Sequence, residues 1–289
     1  MTYQSVFRPD LFAGQVILVT GGGSGIGRCT AHELASLGAS LVILGRNPDK
    51  LANVVNEISS DGGKVSSLVC DIRDEPQVTA SIARVLNEQG RIDGLVNNAG
   101  GQYRSAAEKI TTKGFEAVVR NNLTGGFIVM REVYTQAMQQ HGGAIVNMIA
   151  DIWNGWPDMS HSGAARGGMH NLTESLACEW ASSGVRVNSV APGGIASSGF
   201  DQYDAASKVK ILAHAERVPM QRFGTEAEVS AAIVFLLSPA AAYITGTCVR
   251  IDGGAPNARQ TWTLSPHQRS REFQGFHRAQ LPELLRREG

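Results

Sequence analysis

Short apolar runs recur along the chain, separated by amphipathic stretches of helical length. The runs are QVILVT (15–20), SLVIL (40–44), SSLVC (66–70), GLVNN (94–98), AIVNMI (144–149), RVNSVA (186–191) and TCVRID (247–252). Most are apolar almost throughout rather than alternating, which is the pattern of strands covered on both faces. The segments between them carry helix signals: 31–37 follows a glycine-rich turn, Asn47-Pro48 supplies a cap and first turn, and Thr225 precedes an apolar-periodic stretch that ends at Leu237. Strand and helix alternating in this way predict an α/β fold. The expected architecture is a single doubly wound Rossmann-type domain over 1–255, with a mostly parallel seven-stranded sheet and helices on both faces. No repeat, linker or low-complexity run divides it, and 256–289 remains as a C-terminal tail.

Composition narrows the classes. With 289 residues and 43% hydrophobic composition the chain can bury a substantial core. The 26 basic and 26 acidic residues cancel, so nothing points to a nucleic-acid partner and a small-molecule substrate is expected. The start, MTYQSVFRPD, lacks the basic-then-apolar order of a signal peptide, and no apolar run approaches membrane-spanning length. A cytoplasmic protein without membrane insertion is the expectation. Cys29, Cys70, Cys178 and Cys248 show no CxxC spacing, so reduced core thiols and no metal centre are expected.

The first strand-to-helix turn carries the clearest chemistry. Gly21, Ser24, Gly25, Ile26 and Gly27 lie in TGGGSGIG (20–27), directly after an apolar strand and at a helix start, where glycine lets backbone N–H groups approach a pyrophosphate. At the end of the second strand, where a carboxylate would hold a ribose 2′-hydroxyl, the chain has Arg46 and no neighbouring acid. An arginine suits a 2′-phosphate, so NADPH (NADP+) is preferred and NAD(H) stays possible. Asp71 and Ile72 follow the third strand; Asp71 either accepts from an adenine amino group or caps the next helix.

With TGGGSGIG, Asp71, Asn97-Asn98-Ala99-Gly100, Asn122, IVN (145–147), Pro192-Gly193, Ile244-Thr245-Gly246 and Ile251-Asp252-Gly253-Gly254 in this order, the chain resembles the short-chain dehydrogenase/reductase family over almost the whole domain. NNAGGQY and HSGAAR look most like the peroxisomal trans-2-enoyl-CoA reductases, and 2,4-dienoyl-CoA reductases are more distant relatives. The resemblance implies that Asn98, Ala99 and Gly100, with Asn97, stabilise the sheet beside the cofactor. It implies a water-holding role in proton relay for Asn122 and a nicotinamide-carboxamide loop at Pro192, Gly193 and Ile195. It also implies a homodimer or homotetramer. The peroxisomal location does not transfer, because the chain does not end in a peroxisomal address.

Three positions depart from the family's pattern. The catalytic serine falls near Ala150, the tyrosine on Ser162 and the lysine on Arg166. A serine hydroxyl is a far weaker acid than a phenol, whose pKa starts near about 10. Arg166, one turn after Ser162, can still orient ribose hydroxyls and add positive potential but cannot shuttle protons. Candidate replacements are Tyr103, in the loop after Gly100, which is otherwise a surface aromatic, and Asp151, which follows the fifth strand and otherwise caps a helix or turn. His161 and His170 flank the motif. Trp153 and Trp156 are expected either as an apolar wall of a substrate pocket or as core. Residues 196–217 look like the family's substrate lid, where Lys208 and Lys210 either meet a CoA phosphate or face solvent.

Losing the phenol harms carbonyl reduction more than reduction of an activated C=C bond, where fixed donors can hold the developing enolate oxygen. Three readings stand: an NADPH-dependent reductase of a trans-2-enoyl-CoA-like thioester, a citronellol/citronellal-type terpenoid alcohol dehydrogenase, and a non-catalytic NADPH-binding sensor or partner protein. The tail, polar around Trp262, Phe273 and Phe276, is expected either to cover a neighbouring subunit's site or to be a poorly ordered end.

Overall fold

The computed structural model describes residues 2–202, 205–258 and 263–286. Trp262 and the side chain of Lys210 lie outside that description. The strands are β1 (Val16–Thr20), β2 (Ser40–Gly45), β3 (Lys64–Val69), β4 (Gly94–Asn97), β5 (Gly143–Met148), β6 (Val185–Pro192), β7 (Ile195–Ala196), β8 (Gly224–Thr225) and β9 (Cys248–Ile251). All but β7 and β8 form one parallel sheet of seven strands in the order β3-β2-β1-β4-β5-β6-β9, and β7 pairs with β8 separately. The helices are α1 (Gly25–Ser36), α2 (Pro48–Ser60), α3 (Glu75–Gln89), α4 (Thr112–Val119), α5 (Gly125–Val133), α6 (Gln139–His141), α7 (Ser160–Trp180), α8 (Ala205–Arg217) and α9 (Glu226–Leu237).

The near-continuous apolar runs have the expected cause. In β1, Val16 and Leu18 join one core cluster while Ile17 and Val19 join the other, and β2 divides Val42 and Leu44 from Leu41 and Ile43 in the same way. Each face of the sheet is therefore packed, and both sides of a strand must be apolar. The predicted doubly wound α/β fold is the one observed. Chain order reverses between β1 and β4, which opens a crevice beyond their carboxyl ends where ligands bind in such sheets.

Helix starts follow local chemistry. The Asn47 side chain accepts from the Lys50 N–H at 2.9 Å with Pro48 in the first turn, and Thr225 with Glu228 makes a reciprocal capping box on α9. Asp74, not Asp71, caps α3. The cysteines divide: Cys29 and Cys70 are buried, but Cys178 is exposed, because position 178 falls on the outer side of α7.

The described part of the tail lies on its own chain. Phe276 is fully buried with Tyr3, Cys29 and Ala227, and the Arg28 guanidinium sits 5.0 Å from its ring centre. Polar ties run along both sides: Phe273 N–H donates to Glu228, the Thr225 hydroxyl to the Phe273 carbonyl, and Arg278 to Asp61. A segment too polar for its own core is thus held by one aromatic anchor and a series of hydrogen bonds. Replacing Phe276 with Ala should remove about 3–5 kcal/mol of side-chain burial from this anchor. Limited trypsin digestion should then cut at Arg278 rapidly in the variant while the wild type resists; equal resistance would show that the polar ties alone hold the tail.

Candidate active site

The crevice at the reversal point is a cavity of about 200 Å³ lined by Gly21, Ser24, Arg46, Asp71, Ile72 and Gly100, among others. Gly21 has φ +68°, and a Cβ there would come within 2.8 Å of the Asn98 amide. The turn therefore needs glycine to bring backbone N–H groups to the start of α1, and the groove has the form that suits a dinucleotide's pyrophosphate. Arg46 stands exposed at its rim. Asp71 is engaged by Arg73 through both carboxylate oxygens at 2.5–3.1 Å, and these charge-assisted bonds hold its carboxyl down to about 2. Ile26 and Gly27 continue into α1, where a Cβ on Gly27 would strike the Gly21 carbonyl.

The floor is set by polar groups from β1, β4 and β5. The Thr20 hydroxyl accepts from the N–H groups of Asn98 (3.0 Å) and Ala99 (2.9 Å), while the Asn98 amide donates to the Thr20 carbonyl (3.0 Å). The Asn97 amide donates to Asn147 Oδ1 at 3.0 Å, and Asn147 donates to the Thr173 hydroxyl at 3.0 Å. This chain ties β4 and β5 to α7. On the far side Gly193 N–H donates to the Ile251 carbonyl, Pro192 accepts from Asp151 N–H, and Ile195 is buried in β7.

Asn122 sits in a π turn, Arg120–Thr124, that interrupts the α4–α5 helix. Its Nδ2 donates to the carbonyls of Gly101 (2.7 Å) and Val118 (2.9 Å), and its Oδ1 accepts from Gly101 N–H (3.1 Å). The side chain is thus a clamp on the loop after Gly100, with its hydrogen-bonding capacity used by backbone. Gly100 is the point of closest approach: a Cβ there would lie 2.6 Å from both Arg166 Nη2 and Asn122 Oδ1.

The first two turns of α7 concentrate donors without partners among the described residues. Ser162 and Arg166 share one face at i and i+4, and both are buried. Arg166 Nη1 donates to the Met148 carbonyl at 2.6 Å, but among the described residues its Nε has no partner, and neither has Ser162 Oγ. Burial pushes the Arg166 guanidinium down to about 10, so it stays cationic at neutral pH. His161 Nδ1 accepts from Ser162 N–H, which leaves the ring proton on Nε2, also buried and without a partner among the described residues. A desolvated cation beside two such donors favours an anionic or oxyanionic ligand.

The other candidates separate. The Tyr103 ring meets His161 edge-on with centres 4.6 Å apart, and its hydroxyl lies over Gly114 at the start of α4. Trp156 packs its Cβ against Gly163, beside Ser162. Trp153 is placed elsewhere, with the Arg250 guanidinium 5.1 Å from its ring centre and His170 at 6.0 Å. Asp151 is half-buried, and Lys208 is half-buried on α8.

Known proteins resemble this chain over most of its length. The family described as enoyl-(acyl carrier protein) reductase matches residues 21–256. The chain is 35% identical over 257 residues to a peroxisomal 2,4-dienoyl-CoA reductase of Danio rerio, covering 88% of this chain and 85% of that one. A probable 2,4-dienoyl-CoA reductase of Bacillus subtilis (strain 168) is 35% identical over 243 residues, 83% of this chain and 96% of its own. Among solved structures, a citronellol catabolism dehydrogenase of Pseudomonas aeruginosa PAO1 is 56% identical, with 88% of this chain and 99% of that chain covered and a TM-score of 0.80.

One acidic group beside the glycine turn has no signal in the sequence. Glu226, first residue of α9, is buried with Oε1 3.8 Å from where a Gly25 Cβ would stand, and burial raises its carboxyl to about 7 against a partial pull from Arg28. Because the folded pKa exceeds the unfolded one, the native state keeps a proton that the unfolded chain has released. Stability therefore falls as pH rises from about 4.5 to about 7 and then levels off. Glu226→Gln should be more stable than wild type at pH 8, by up to about 3 kcal/mol, and similar to it at pH 4. Urea unfolding at the two pH values checks this; a gain of equal size at both would remove the protonation account.

Proposed function

The chain belongs to the short-chain dehydrogenase/reductase family of NAD(P)-dependent oxidoreductases, and on that premise we propose that it reduces the conjugated C=C bond of an enoyl thioester with NADPH. The observation that carries this reading is the first two turns of α7: Ser162 Oγ and Arg166 Nε, buried and without partners among the described residues, where the family's tyrosine and lysine would stand. Hydride to the β-carbon is the chemistry a reduced nicotinamide supplies when bound. Negative charge then gathers on the thioester oxygen, where the Ser162 hydroxyl and the Arg166 cation are suited to hold it. The α-carbon takes its proton from water or a neighbouring acid, so no phenol with a lowered pKa is required. Arg166 also lies against Gly100 at the groove, where it can orient the ribose. The 2,4-dienoyl-CoA reductase relatives support a C=C bond as the reacting group.

A second reading, oxidation or reduction at a terpenoid alcohol or aldehyde, rests on the 56% identity to the citronellol catabolism dehydrogenase. It needs a proton acid or base at oxygen: Tyr103 directs its hydroxyl over Gly114, which leaves His161, beside Ser162, or Asp151 to supply it. The same identity supports a branched, terpenoid-like chain on the thioester as a substrate to test first.

Following NADPH absorbance with straight and branched trans-2-enoyl-CoA, and with citronellal in parallel, separates the two. Turnover with the thioesters alone is expected; turnover with the aldehyde alone would overturn the C=C reading, and tight NADPH binding without turnover on either would favour a sensor. Replacing Arg46 with Ala should weaken NADPH by about tenfold or more, since a charge-assisted contact is worth roughly 1.5–3 kcal/mol, and leave NADH almost unchanged. Fluorescence titration with both cofactors measures this; equal losses would remove Arg46 as the 2′-phosphate group.

A further inference from the structure

We propose that His32, Asp61 and His277 form a zinc site that fastens the C-terminal tail to the corner between α1 and α2. The three residues come from separate parts of the chain, and each offers a donor atom within 4.8 Å of the others. His32 projects from α1, Asp61 ends α2, and His277 follows the Phe276 anchor of the tail. They line a cavity of about 350 Å³ with Thr2, Asp10 and Gly62, and this space leaves room for a further ligand such as water.

The proton arrangement gives the cluster its direction. His32 is almost wholly buried, an environment that favours the neutral imidazole. Its Nε2 lies 3.1 Å from Glu57 Oε2, so the single ring proton sits there. Nδ1 then carries a lone pair, and it faces Asp61 Oδ2 at 3.7 Å, acceptor against acceptor. The opposite tautomer would bring a lone pair against the Glu57 carboxylate at the shorter distance. A cation between Nδ1 and Oδ2 relieves this opposition, and a metal-bound histidine ordinarily donates its second nitrogen to a carboxylate, as His32 does to Glu57.

His277 completes the set. Its Nε2 is 2.9 Å from the same Asp61 oxygen, and its Nδ1 is buried without a partner among the described residues. With metal on Nε2, the ring proton moves to Nδ1. Two imidazoles and one carboxylate match zinc in ligand type, and separations of 2.9 and 3.7 Å are near those between ligands bonded at about 2.0–2.2 Å to one tetrahedral ion. Arg278 pairs with Asp61, and Arg28 with Glu57, so the site is not a bare acidic patch and weakly binding hard cations gain little there.

The test uses the untagged full-length protein, stripped with chelator and dialysed against Zn2+, with metal content per chain measured directly. One zinc per chain is expected, bound in the presence of excess Mg2+, and Co2+ in its place should show the absorption of a nitrogen- and oxygen-ligated ion. His277→Gln and Asp61→Asn should each weaken zinc by about tenfold or more while circular dichroism and NADPH affinity stay at wild-type values. Zinc should also slow trypsin cleavage at Arg278 in the wild type and not in Asp61→Asn. Substoichiometric zinc in the wild type, or undiminished binding in both variants, would overturn the proposal.

Discussion

The amide chain from Asn97 through Asn147 to Thr173 is the constraint on which the site rests. These groups are buried between β4, β5 and α7, where an unpaired amide would cost about 1–3 kcal/mol. The bonds made by Asn97 Nδ2 and Asn147 Nδ2 favour one rotation and one height for α7 against the sheet, while Asn97 Oδ1 has no partner among the described residues. That setting brings Ser162 and Arg166 to the carboxyl ends of the strands and seats the Arg166 guanidinium on Gly100. Thr20 does the same for the opposite wall, since one hydroxyl accepts two N–H groups from the strand end at Asn98 and Ala99. Packing alone would tolerate small slips of helix on sheet; a chain of paired polar groups does not.

Electrostatics around the groove follow from burial more than from the number of charges. Arg166 remains cationic although no carboxylate pairs with it among the described residues, because its pKa has far to fall before neutral pH. Glu226 is held near half-protonation by the same desolvation. A chain with zero formal net charge thereby acquires a crevice whose bias is positive, which suits a phosphate-rich cofactor and an oxyanion that forms during reaction. On the proposed reading, serine and arginine in place of the family's tyrosine and lysine trade proton transfer for fixed donors, and conjugate reduction makes the smaller demand on proton transfer at oxygen.

The tail couples this site to the rest of the surface. From the Phe276 anchor it runs to Gln280, which lines a cavity together with Ser24, Gly25, Arg28 and Glu226, and on to Glu283, whose N–H donates to Asp201 in the turn Ser198–Gln202.

Much was legible without coordinates, because it depends on neighbours in sequence. Apolar runs covered on both sides announced a parallel sheet, Gly21 to Gly27 announced a nucleotide turn, and Asn47-Pro48 announced a helix start, each for a reason that operates within a few residues. The missing tyrosine was equally visible, since family spacing put Ser162 in its place. Only the tertiary structure decided that the Asn122 amide is taken by Gly101 and Val118, that Asp71 is held by Arg73, that Trp153 meets Arg250 instead of Ser162, and that Glu226 stands beside Gly25. It also decided that His277 meets an aspartate 216 positions earlier. Local periodicity reports which face of an element is apolar; it carries no information on which distant polar groups are desolvated together, and that shared desolvation is what sets the protonation, pairing and reactivity of this site.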